Sequence, residues 1–251
     1  MRLPRRRTRA LAPLLCCSLA LAACRDDLTG PVTHAQSAGG RLWVAVTPPR
    51  DLPDAGTWLP FLSAVKGGKD GAAALRVRAL RDEARRLRRG GDPEGSVRAE
   101  EQAAQAAAGA LAVVPDRLTV AAALEAVDDW TREAEAADAT GAVPELKAAL
   151  EEVRSARAGA AGALARGDTL EAVGHLSRAS AAARRQAPDA VALRVFARVE
   201  AAVRERALPP ADAKRAARLL GWARDAVLTG DPERAFRRAV YALQLVESHR
   251  R

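Results

Sequence analysis

The chain has 251 residues, 40 of them basic and 31 acidic, for a formal charge of +9, and only 3% of its residues are aromatic. Its three cysteines, Cys16, Cys17 and Cys24, all lie in the first 24 positions, so the rest of the chain has no thiol for a disulfide, a cysteine-ligated zinc or iron–sulfur centre, a c-type haem or a cysteine nucleophile. Five basic residues and no acidic ones precede Cys24, which leaves 35 basic against 31 acidic side chains downstream; that small surplus gives no reason to expect a nucleic-acid partner.

Taken in chain order, the first segment carries Arg2, Arg5, Arg6, Arg7 and Arg9, then an apolar run of 14 residues from Ala10 to Ala23. A bilayer-spanning helix needs about 20 residues, and Pro13 interrupts this run, so the layout is that of a secretory signal peptide over residues 1–23. The run ends Leu21-Ala22-Ala23-Cys24. This ending resembles the lipobox of bacterial lipoprotein precursors. The resemblance implies that Cys24 is acylated on sulfur, becomes the first residue after cleavage and ties the remainder to a membrane. An ordinary cleaved signal peptide, with Cys24 incidental, is the alternative. Two or three acyl chains on one cysteine make release negligible, because each buried methylene contributes about 0.8 kcal/mol. The residues after it are Arg25, Asp26 and Asp27; in the lipoprotein family the absence of aspartate directly after the cysteine leans toward the outer membrane, where the cell has one.

Residues 24–40 are polar, with Gly, Pro and Ser and without periodicity, and they predict the lipidated cysteine followed by a disordered tether. Residues 41–69 are ambiguous: Arg41–Thr47 is a candidate strand, and Thr57–Lys66 a short apolar turn or helix. Trp43, Trp58 and Phe61 are expected to cover one end of the domain rather than to form a ligand shelf. From residue 70 to 251 the chain reads as a succession of helices. Ala72–Arg89 runs to Gly90-Gly91; Asp116 opens a helix with Val120, Leu124, Val127, Trp130, Ala134 and Ala137 as its stripe; and Leu146, Leu150, Val153, Ala160 and Leu164 continue the three-to-four spacing up to Gly167. Asp168, Pro188, Pro209-Pro210 and Asp231-Pro232 open the remaining ones, with Asp168-Thr169-Leu170-Glu171 at capping-box spacing.

Three Gly-Asp junctions, at Gly91, Gly167 and Gly230, predict tight turns between antiparallel helices. After Gly167 come Ala172 and Ala179, and after Gly230 come Ala235 and Ala242, at the same five- and twelve-residue offsets; Ser96 and Ala103 hold those places after Gly91. This spacing resembles the second helix of a tetratricopeptide repeat, although the junctions lie 76 and 63 residues apart rather than at multiples of 34. The expected fold is all-α: antiparallel helical hairpins, as tetratricopeptide-like units or as an irregular bundle.

No chemical motif follows from this pattern. His34, His175 and His249 are far apart with no metal-ligand spacing, and Asp128-Asp129 and Glu151-Glu152 have Arg132 and Arg154 three or four places away, as on a solvated helix face. There is no phosphate loop, Gly-x-Ser-x-Gly or His-Glu-x-x-His, so neither an enzyme nor a cofactor or metal is expected. Arg85, Arg86, Arg88 and Arg89 form the one dense basic cluster, at a helix C-terminus, where the helix dipole favours cations; their functional reading is contact with an anionic envelope polymer. Trp222 and Phe236 are expected in the core and Tyr241 outward. The function expected is that of a non-catalytic envelope lipoprotein that binds another protein, with polymer binding through the arginine-rich face as the alternative.

Overall fold

Residues 33–63, 71–110, 115–139, 142–205 and 208–249 are described here from a computed structural model. Cys24, the signal segment and the first part of the expected tether lie outside them. The fold is all-α, with one two-stranded sheet among the described residues. No helix among the described residues is long and apolar enough to cross a membrane.

The last residues of the expected tether are structured. Residues 33–40 are not a disordered extension: Thr33–Ala38 forms strand β1, paired antiparallel with β2 (Arg41–Val46) so that Ala38 faces Arg41 and Thr33 faces Val46. Gly39 and Gly40, at φ 54° and 82°, make the two-residue turn, whose positive angles suit the twist of a hairpin. The segment expected to be irregular resolves into β2 and helix α1 (Ala55–Ser63), which Asp54 opens by accepting from the Thr57 N–H at 2.8 Å.

Eight further helices follow: α2 (Ala72–Arg89), α3 (Pro93–Gly109), α4 (Arg117–Ala137), α5 (Pro144–Ala165), α6 (Thr169–Arg184), α7 (Pro188–Arg204), α8 (Pro210–Leu228) and α9 (Pro232–Ser248). The pairs α2–α3, α5–α6 and α8–α9 are the three hairpins, and their turns are chemically alike. The glycine at each sits at φ 84°, 80° or 79°, a region that costs a residue with a Cβ roughly 1–2 kcal/mol. Its N–H donates three residues back (Gly230 to the Val227 carbonyl, 3.2 Å), and the following aspartate N–H donates five back (Asp231 to Ala226, 2.8 Å). The aspartate carboxylate then accepts from the N–H of the third residue of the next helix: Asp92 from Gly95, Asp168 from Glu171 and Asp231 from Arg234, at 2.8, 2.9 and 3.0 Å. The capping box at Asp168 is half made, because the Glu171 side chain turns away to Arg166 at 2.6 Å.

Ser96, Ala103, Ala172, Ala179, Ala235 and Ala242 are all fully buried, so the small-residue spacing does bring paired helices together, the copy after Gly91 included. Connectivity separates the fold from a tetratricopeptide array. A third helix precedes each hairpin and packs on it, giving the triplets α1–α2–α3, α4–α5–α6 and α7–α8–α9.

The core falls into two clusters. One joins α1 to α6 around Trp58, Trp130, Leu146 and Leu176; the other joins α7 to α9 around Phe196, Phe236 and Leu243. Strand β2 lies between them and is buried on both faces: Val44 and Val46 enter the first cluster, Trp43 and Ala45 the second. The Val46 N–H donates to the Gln186 carbonyl at 2.9 Å, Gln244 Nε2 donates to the Ser37 carbonyl at 2.6 Å, and the guanidiniums of Arg41 and Arg198 lie 4.7 and 5.9 Å from the Trp43 ring. Trp43 and Trp58 are thus core residues rather than the expected cover over one end of the domain, with Phe61 at the edge of the first cluster.

Candidate functional site

A cleft that mixes apolar and polar groups opens among the described residues between the start of α1, the α2–α3 hairpin and α6, with a volume of about 540 Å³. Its floor is apolar and made of small side chains: Ala103 and Ala104 from α3, Ala181 from α6, and the edge of Trp58. Alanine at these places follows from the close approach of the helices, and it leaves space where a larger side chain would fill the gap.

Two serines line this cleft, Ser177 and Ser180, one helical turn apart on α6, and the Oγ of each is shut off from solvent. Neither Oγ has a hydrogen-bond partner. Ser180 is only 3% exposed, and a buried hydroxyl without a partner costs roughly 1–3 kcal/mol, so both side chains hold unused hydrogen-bonding capacity. No histidine or carboxylate contacts either oxygen, so the serines lack the base that a nucleophile requires.

The rim carries charge of both signs. Arg184 is committed to the Leu52 carbonyl at 2.8 Å, Arg185 pairs with Glu152, and Arg178 Nη2 meets His175 Nδ1 at 2.7 Å. Arg81, half-buried on α2, and Glu100 and Glu101 on α3 have no ion-pair partner among the described residues. An apolar floor and unpaired charges of both signs suit an extended peptide with apolar and ionised side chains.

Of the arginine cluster, Arg85 also lines this cleft, one turn from Arg81. Arg85 pairs with Asp82 at 3.3 Å and Arg86 with Glu83, each three residues away on the same helix, while Arg89 Nε donates to the Arg85 carbonyl at 3.4 Å. Arg88 has no such partner among the described residues. The four therefore do not present a uniform cationic face.

The acidic clusters work between helices as well as within one. Asp128 on α4 accepts both arms of Arg157 on α5, at 2.7 and 3.0 Å, a hydrogen bond that holds the Arg157 guanidinium above its ordinary pKa. Arg154 turns from its neighbour Glu151 to Glu135 on α4, at 2.6 Å, while Arg132 stays with Asp129. The histidines remain apart. His34 lies in β1, not in a free tether, with Nε2 3.2 Å from Glu233; His175 nests where α5 has Gly159; and His249 lies 3.2 Å from Asp212. No group of three or more potential metal ligands occurs among the described residues.

Two aromatic expectations hold and one does not. Phe236 is fully buried and Tyr241 is 51% exposed, but Trp222, expected in the core, is 48% exposed. Its neighbours Leu220, Ala223 and Ala226 take the inward stripe of α8, which turns position 222 outward. The cleft itself had no signature in the sequence, because its walls come from segments more than 100 residues apart. With this geometry in hand, comparison with protein families, curated proteins and solved structures finds no match.

Proposed function

We propose that this chain is a membrane-anchored lipoprotein of the bacterial cell envelope, held through acyl chains on Cys24, whose helical domain is a non-catalytic scaffold for another envelope protein. The observation that supports the scaffold reading is the α1–α3/α6 cleft, with its apolar lining and with Arg81, Glu100 and Glu101 unpaired at its rim among the described residues. Such a site suits a bound segment that carries apolar and ionised side chains. The unpaired Arg81 and Glu100 at its rim provide orientation for a partner segment of mixed charge. Polymer binding through Arg85, Arg86, Arg88 and Arg89 has less support, since two of the four already pair with carboxylates on their own helix.

The test is photo-crosslinking in the native envelope with a reactive side chain at Glu100, against a Cys24→Ala control. A discrete protein adduct at the cleft rim, lost in the control, is the expected result. Recovery of envelope polymer alone would replace the scaffold reading by the polymer one. Soluble export of both proteins would remove the anchor.

A further inference from the structure

The α8–α9 hairpin carries the two exposed aromatic side chains among the described residues, and they lie on one surface. Trp222 and Tyr241 are about half exposed, whereas Trp43, Trp58, Trp130, Phe196 and Phe236 are buried. Arg238 on α9 joins the two helices at this surface: its Nη1 donates to the Trp222 carbonyl at 2.8 Å and its guanidinium sits 5.9 Å from the indole. Helical spacing places the rest. Arg218 precedes Trp222 by four residues on α8, and Arg237 precedes Tyr241 by four on α9. Both arginines are exposed and have no acidic partner among the described residues. The one carboxylate in phase on the α8 side is Asp225, one turn beyond Trp222; Asp231, at the turn, is already paired with Arg234 at 3.0 Å.

A Trp and a Tyr set among unpaired guanidiniums match the chemistry of a bilayer interface. Their rings sit at headgroup level and cations meet lipid phosphates, each worth about 1 kcal/mol near an anionic surface. The covalent geometry agrees. His34, the second residue of β1, lies against Glu233 in the first turn of α9, so the strand enters beside the α8–α9 turn. Residues 25–32 separate Cys24 from that strand, and the link reaches at most about 30 Å when fully extended. A bilayer that holds Cys24 is therefore within one short link of this hairpin.

We infer that the outer face of α8–α9, built on Trp222, Tyr241, Arg218, Arg237 and Arg238, docks on the anionic phospholipid surface that holds the anchor. This rests on the lipoprotein reading above.

The experiment uses the acylated full-length protein in vesicles of phosphatidylglycerol with brominated acyl chains, which quench tryptophan at the interface. Trp222 is one of four tryptophans and the other three are buried, so total emission should fall by up to about a quarter. The fall should vanish in Trp222→Phe and in the pair Arg218→Glu with Arg237→Glu, while flotation with the vesicles is retained. Protein that floats without this quenching overturns the docking face and leaves the anchor standing. Protein that neither floats nor is quenched overturns both. Equal quenching in brominated phosphatidylcholine overturns the anionic-lipid assignment.

Discussion

Asp116 is a case in which one side chain starts a helix and makes its start sensitive to acid. Its carboxylate accepts from the Thr119 N–H at 2.8 Å and the Thr119 hydroxyl at 2.9 Å, and these bonds, the backbone one first, hold its pKa below the usual 3.8. A carboxyl whose folded pKa is depressed stabilises the fold above its unfolded value and loses that contribution as pH falls through the folded one. Asp116→Asn keeps a cap without the charge. Wild type should exceed this variant in urea midpoint at neutral pH, and the gap should narrow as pH falls below the ordinary carboxylate value. An unchanged gap would show that the charge has no part in the cap.

Among the elements, the β-hairpin depends most on the rest of the fold. Its first strand reads Thr-His-Ala-Gln-Ser-Ala, with no apolar alternation, and composition alone makes it a tether. It becomes a strand because β2 offers a ladder and α9 offers a surface, neither of which is a local property. Ala72–Arg89 is the opposite case. Its Ala, Leu and Arg content and the Gly90-Gly91 stop fix both ends locally, and the structure places the helix over those same residues. The Gly-Asp turns were legible for the same reason, whereas the outward turn of Trp222 was only partly so: the phase of Leu220 and Ala223 contained it, but the indole's bulk argued for burial. Trp43, wedged in the second cluster, should cost about 3–5 kcal/mol when replaced by alanine, whereas Trp222→Ala should change stability by no more than about 0.5 kcal/mol. Urea unfolding of the two variants side by side measures the contrast.

Across the whole molecule, the two core clusters meet at few polar points, and Arg224 is one of them. From α8 it reaches Glu200 on α7 at 2.7 Å and Glu94 on α3 at 3.3 Å, and lies 5.1 Å over the Phe196 ring. Partial burial pulls its pKa down, but the two carboxylates outweigh that and raise it. Arg224→Met should keep the packing and lose the bridge. A double-mutant cycle with Glu94→Gln should give a coupling of about 0.5–1 kcal/mol between the clusters, and a coupling of zero would make the contact incidental. The hairpin is the larger link, and its position bears on biosynthesis. Ser37 meets Gln244 across 207 positions of sequence, so β1 leaves the ribosome long before its partner helix exists. Closure of so long a loop comes late in folding. The first helical triplets can form as they emerge, whereas the hairpin of β1 and β2 lacks the surface of α9 until the last helix arrives.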